Sequence, residues 1–146
     1  MKLLHYAGRF LLGGSAYVGL ELLWRGRSHG SMFLLGGFCF LLIGRLGRAL
    51  AKIPLALRLI VSSLVITALE LLTGLLVNRQ HQVWDYRRMP YNYLGQICLS
   101  YSLLWVPVSL LAMGLYELAR KKVWFFLHSQ VPVAIMVKKQ QEVFSM

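Results

Sequence analysis

Glu21 and Glu70 are the residues of this chain with the clearest chemical consequence. Each carboxylate sits inside a leucine-rich run, Leu20-Glu21-Leu22-Leu23 and Leu69-Glu70-Leu71-Leu72. A charged side chain in the middle of a membrane helix costs about 2.5–3.5 kcal/mol on insertion scales, so such a group faces a partner, a cavity or a pathway. Glu21 has a local partner in Arg25, four residues on and in the favourable acid-before-base order, and a self-neutralised interfacial pair is its plainest reading. Glu70 has no such neighbour. Thr67, Gly74 and Asn78 share its helix face at spacings of three and four, and Arg25 or His29 are its expected partners. Packing and hydrogen bonding alone would also account for it.

The stretch from Asn78 to Asn92 is the most distinctive in the sequence, with Arg79, His81, Trp84-Asp85-Tyr86, Arg87-Arg88 and Pro90. Trp and Tyr concentrate at membrane interfaces, which by itself explains Trp84, Tyr86 and Tyr91. Asp85, set between two aromatics and followed by two arginines, could equally organise a lid. Asn92, Gln96 and Ser100 recur every four residues and would extend a polar surface along the start of a fourth helix. Glu21, Arg25, His29, Glu70, Asn78, Trp84, Asp85, Tyr86, Asn92 and Gln96 together form a candidate polar site near one membrane face. Its chemistry fits ion or proton handling, polar-ligand binding, or hydrolysis of a lipid headgroup.

Other chemistries lack their signatures. There is no P-loop lysine motif, so any ATPase must be a separate subunit, and no HExxH or close ligand pair for a metal. Ser28-His29 and Ser31 stand outside any G-x-S-x-G elbow. No cofactor is expected. Cys39 and Cys98 lie in apolar runs without a CxxC pair and read as small packing residues that a repeat could bring close together.

The elements that must position these groups are membrane helices. Of 146 residues 58% are hydrophobic and only 14% charged, against about 25% charged in soluble domains, and the mean hydropathy is +0.60. The formal charge of +11 would suit a nucleic-acid binder, but the basic residues flank apolar blocks, as in membrane proteins; nucleic acid is not an expected partner. Four blocks approach the ~20 residues a span requires, about 3–24, 31–50, 55–77 and 94–118. The second ends in Arg45 and Arg48, which must snorkel to the headgroups. The third opens after Pro54, a natural first-turn residue. The expected fold is an all-α integral membrane protein with four transmembrane helices in a domain over 1–122. Residues 123–146 add an apolar interfacial helix, or a short fifth one, and a basic tail.

Lys2, Arg9, Arg45, Arg48, Lys52, Arg58 and Arg120-Lys121-Lys122 fall on one side of such a bundle and outnumber Arg25, Arg27, Arg79, Arg87 and Arg88 on the other. That bias predicts cytoplasmic termini, in a cell membrane. The two Leu-Glu-Leu-Leu runs match, and Leu35-Gly36-Gly37-Phe38-Cys39 parallels Leu94-Gly95-Gln96-Ile97-Cys98. The correspondence suggests a parallel two-helix repeat, with halves at about 3–50 and 54–118. Ser15 and Gly19, Gly36 and Gly37, and Gly44 and Gly47 offer close helix contacts. Four helices bury only a modest site, so a homo-oligomer is plausible.

Gly19-Leu20-Glu21, Trp24-Arg25, Ser28-His29, Met32 and Gly36-Gly37, then Leu69-Glu70, Gly74, Asn78, Trp84-Asp85-Tyr86, Pro90, Asn92 and Gly95-Gln96-Ile97-Cys98 with Ser102 and Trp105, make a pattern over about residues 10–118. That pattern resembles the CmpB-like ABC-transporter type IV membrane proteins, and its specific part is the W-D-Y…N-x-x-G-Q-x-C run. Arg87 departs from it, where the resemblance implies a small polar residue after the tyrosine. The resemblance implies a transport permease working with a separate ATPase. A membrane enzyme acting on a lipid or headgroup, with Glu70, Asp85 or His29 as acid or base, and a non-catalytic scaffold or regulatory subunit are the alternatives.

Overall fold

A computed structural model describes the backbone of residues 2–144 and the side chains of residues 3–122. Its helices are α1 (Lys2–Arg25), α2 (Gly30–Ala49), α3 (Leu55–Val77) and α4 (Leu99–Phe144), with a two-stranded hairpin of β1 (Asn92–Tyr93) and β2 (Ile97–Cys98) between α3 and α4. Gly30–Ala49, Leu55–Val77 and Leu99–Lys122 are long and apolar enough to cross a membrane. α1 has the length, at 24 residues, but Lys2, Arg9, Glu21 and Arg25 dilute its hydropathy. Leucines project outward all around the bundle, with Leu64 63% and Leu103 61% exposed. Such a surface requires lipid.

The compact unit runs from Met1 to Tyr116. Its core gathers Met32, Leu35, Cys39 and Ile43 from α2, Ile66 from α3, Trp84 from the loop and Trp105 from α4. α3 turns one stripe inward at four-residue intervals: Ser62, Ile66, Glu70 and Gly74, with Asn78 at its C-cap. Glycines allow α1 and α2 to close up. A β-carbon on Gly36 would overlap Tyr17, and one on Gly13 would overlap Phe40. The α1 contact glycines are therefore Gly13 and Gly14, both buried, whereas Ser15 is exposed and Gly19 meets no neighbour. They lie on the face of α1 turned toward α2, which neither Ser15 nor Gly19 does.

Gly44 and Gly47 face α4 with different tolerances. A β-carbon at Gly44 would enter the ring of Tyr116, which is 1% exposed and packs at a tilt against Phe40. At Gly47 it would meet only the flexible end of Met113. Gly44→Ala is therefore expected to cost about 1–3 kcal/mol through overpacking, and Gly47→Ala to leave thermal unfolding in detergent nearly unchanged.

The fourth apolar block does not begin as a helix at Leu94. Leu94 and Gly95 both take positive φ, 53° and 65°, the conformation a primed β-turn demands of its two central residues. Gln96 N–H donates to the Tyr93 carbonyl at 3.0 Å to close that turn, and Asn92 pairs with Cys98 and Tyr93 with Ile97. Gly95 is required twice over, since a side chain there would also strike Arg87 and His81. The polar stripe expected from Asn92 through Gln96 to Ser100 is thus absent: Gln96 is buried, while Asn92 and Ser100 are exposed.

Residues 117–146 form a second unit. The backbone of 123–144 belongs to α4, so it is not a separate fifth helix. Glu117 and Arg120 pair at 2.8 Å. The side chains of the expected interfacial segment and basic tail lie outside the described residues.

Candidate functional site

The C-terminal end of α1, the C-terminal end of α3, the 78–98 loop and the N-terminal end of α4 meet at one end of the bundle. Three groups of polar side chains occur there, and they differ in what they can do.

The first is a clamp that shapes the loop. Asn78, 1% exposed, donates from Nδ2 to the Trp84 carbonyl at 2.6 Å and to Gln96 Oε1 at 3.1 Å, and its Oδ1 accepts from Val83 N–H at 2.9 Å. Gln96 Nε2 returns to the Asn78 carbonyl at 2.9 Å. The indole of Trp84 donates to the Gln96 carbonyl at 2.8 Å. Gly74 admits Gln96, whose amide occupies the space a β-carbon would need. These amides spend their capacity on each other and on backbone, so the network is a brace that holds a buried loop.

The second is the carboxylate of Glu70, 3% exposed. Tyr86 donates its hydroxyl to Oε1 at 3.0 Å, and Trp105 donates Nε1 to Oε2 at 3.0 Å. The expected partners, Arg25 and His29, do not bond to it. Spacing along a helix cannot reveal donors 16 and 35 residues away. Burial, and next the negative charge of Glu70, push the Tyr86 phenol above its ordinary range, which keeps it a donor at neutral pH.

The third is the ion pair of Glu21 and Arg25, formed as the four-residue spacing predicts. Ser28 completes it, donating Oγ to Glu21 Oε2 at 2.6 Å, and Arg25 Nη1 reaches the Val83 carbonyl at 3.4 Å. The pair therefore ties α1 to the braced loop.

A cavity of about 240 Å³ separates this pair from the donors of Glu70. Glu21 and Arg25 line it together with Trp24, Tyr86, Tyr101 and Trp105. Tyr86 stacks on Tyr101 at 4.7 Å and Tyr17 on Trp105 at 6.0 Å. Glu70 is behind Tyr86 and Trp105 and does not itself line the space. Tyr17 and Tyr101 are not legible as site residues in the sequence, because lone aromatics within apolar runs resemble core residues. Their signal is the helix face they share with Glu21 and Trp105.

His29 and Asp85 take other positions. His29 is exposed and caps α2, its Nδ1 accepting from Ser31 N–H at 3.2 Å. Asp85 is exposed and held by Arg87, which donates Nη2 to Oδ2 at 2.7 Å, Nε to Oδ1 at 2.9 Å and its backbone N–H to Oδ1 at 3.0 Å. These bonds hold the Asp85 carboxyl well below the usual carboxylate range. So exposed a pair contributes little; Asp85→Asn is expected to leave the melting temperature of the purified protein unchanged. Asn92 organises the hairpin, bonding the Met89 carbonyl at 2.8 Å and Gly95 N–H at 3.1 Å. Cys39 and Cys98 are buried free thiols. Among the described residues no cluster of His, Cys, Asp and Glu could hold a metal.

Comparison with curated proteins and with solved structures gave no match. Residues 17–138, most of the 146-residue chain, match the family described as "Putative ABC-transporter type IV". The match takes in all three apolar spans, the brace and both glutamates, and the chain belongs to that family.

Proposed function

We propose that this chain is a transport-related membrane subunit whose ligand site is the cavity between the Glu21–Arg25 pair and the aromatic wall held by Glu70. The observation that carries this reading is the cavity itself. Charged groups inside a membrane protein gather at pathways and binding sites, and here a half-buried ion pair lines the open space. α1 would be the fourth span, with the termini cytoplasmic. The leucine-glutamate run of α1 lines the cavity through Leu20 and Glu21, and that of α3 holds the aromatic wall from behind through Glu70, which is how a two-helix repeat would bring them together. Energy for transport would come from a separate ATPase subunit.

In this arrangement the side chains have distinct tasks. Glu21 and Arg25 present opposite charges to a ligand, Tyr86 and Trp105 form its aromatic floor, and Glu70 fixes their orientation from behind. The brace of Asn78, Trp84 and Gln96 holds the loop that carries Tyr86. A scaffold role is the second reading, favoured by the full engagement of Asn78, Gln96 and both oxygens of Glu70 in internal hydrogen bonds.

Isolation of the chain from native membranes in a mild detergent separates the two. The transport reading expects a nucleotide-hydrolysing subunit to accompany it. ATP hydrolysis by that complex should fall about fivefold or more, an ordinary coupling magnitude, when Glu21→Gln and Arg25→Gln replace the ion pair. A complex without ATPase activity, or one indifferent to both changes, would leave the scaffold.

A further inference from the structure

A second, apolar groove of about 370 Å³ adjoins the cavity beside Glu21 and Arg25, and the two share Tyr17, Leu20, Trp105 and Val108 as lining residues. The adjoining pair, a charged, aromatic head and a hydrocarbon tail, is the candidate channel. The tail follows α1 from Leu23 back to Gly13. Ten residues at 1.5 Å each make about 15 Å, half of a ~30 Å hydrocarbon core. Small side chains keep it open on the α1 side: Ala16 and Gly19 line it, and Gly19 has no neighbour within contact distance.

The head favours a particular charge pattern. Glu21 and Arg25 put one carboxylate and one guanidinium on the same wall, paired to each other. A simple anion would engage Arg25 and leave Glu21 without a partner. A simple cation would gain from Glu21 and from the rings of Trp24, Tyr86 and Tyr101, the surroundings that hold quaternary and primary ammonium groups elsewhere, but would leave the hydrocarbon tail empty. A headgroup carrying an ammonium and a phosphate, attached to acyl chains, meets every part of the channel at once.

We propose that this channel holds a phospholipid with a zwitterionic, ammonium-bearing headgroup. Its ammonium sits among Trp24, Tyr86 and Tyr101 beside Glu21, its phosphate faces Arg25, and one acyl chain lies along Ala16 and Gly19. The assignment rests on the ligand-site reading above and names the class of ligand. It gives Trp24, 77% exposed, a task beyond marking the interface.

The test uses the full chain alone in detergent, without an ATPase, so its failure is distinct from failure of the transport reading. The protein is offered equal amounts of phosphatidylcholine, phosphatidylethanolamine and phosphatidylglycerol with identical acyl chains, and bound lipid is read by native mass spectrometry. Retention of the zwitterionic lipids over phosphatidylglycerol by about tenfold is expected, the scale of one or two cation–π contacts. Trp24→Ala and Tyr101→Leu should each reduce that retention, with melting temperature as the control for folding. Equal or preferred retention of phosphatidylglycerol would overturn the assignment, as would zwitterionic retention that neither substitution lowers. Displacement of the lipid by free phosphocholine at comparable concentration would overturn the acyl-chain half of it.

Discussion

Replacing Asn78 with alanine is expected to lower the stability of the protein by about 2–4 kcal/mol, because it strands several buried groups at once. The Trp84 carbonyl and Gln96 Oε1 lose their donor, and Val83 N–H loses its acceptor. No water reaches a residue 1% exposed to take their place. The loss should appear as a melting temperature depressed by roughly 5–15 °C in the fluorescence of the purified protein. Asn92→Ala provides the comparison. That residue makes the same kinds of bonds in an exposed hairpin, where water substitutes for them, and should cost about 0.5–1.5 kcal/mol. Similar shifts for the two variants would show that Asn78 is not the keystone of the loop.

Glu70 yields the second large effect, and the replacement chosen decides its size. Glu70→Leu leaves the Trp105 indole and the Tyr86 hydroxyl as buried donors without acceptors, at about 1–3 kcal/mol for each. Glu70→Gln is a gentler change. Its amide oxygen can accept from Trp105, whose indole only donates, while its amide nitrogen donates to Tyr86, whose hydroxyl reverses roles. The glutamine variant is therefore expected to melt within a few degrees of the wild type and the leucine variant far below it. If the function depends on negative charge behind the aromatic wall, the glutamine protein will be folded and impaired. Equal destabilisation by both replacements would contradict the hydrogen-bond pattern at this carboxylate.

These two residues also mark where the sequence is legible and where it is not. The apolar blocks announce α2 and α3 closely, because a span must be long and unbroken to satisfy its backbone in lipid. The Glu21–Arg25 pair is readable for a similar reason: four residues on a helix fix the distance between two side chains. Local spacing fails at contacts that the fold alone creates. Glu70 finds its donors in the loop and in α4, and Asn78 finds Gln96 eighteen residues on. The Asn92, Gln96 and Ser100 series matches a helical period, yet Gly95 within it was a turn signal, and the positive φ values of Leu94 and Gly95 override the period. Among glycines, the sequence points correctly to Gly36, Gly37, Gly44 and Gly47, but the α1 partners are Gly13 and Gly14, which only the crossing of α1 and α2 selects.

The most direct measurement is chemical labelling of single introduced cysteines with membrane-impermeant cationic and anionic thiol reagents. Leu104 lines the head of the cavity, and Leu64, 63% exposed, points outward from α3, a helix long and apolar enough to cross a membrane. Native Cys39 and Cys98 are buried, and labelling of the parent protein is subtracted as the background. Leu104→Cys is expected to react with the cationic reagent faster than with the anionic one, and faster than Leu64→Cys reacts with either. Labelling at Leu104 as slow as at Leu64, or favouring the anionic reagent, would contradict a charged, accessible cavity between the Glu21–Arg25 pair and the aromatic wall.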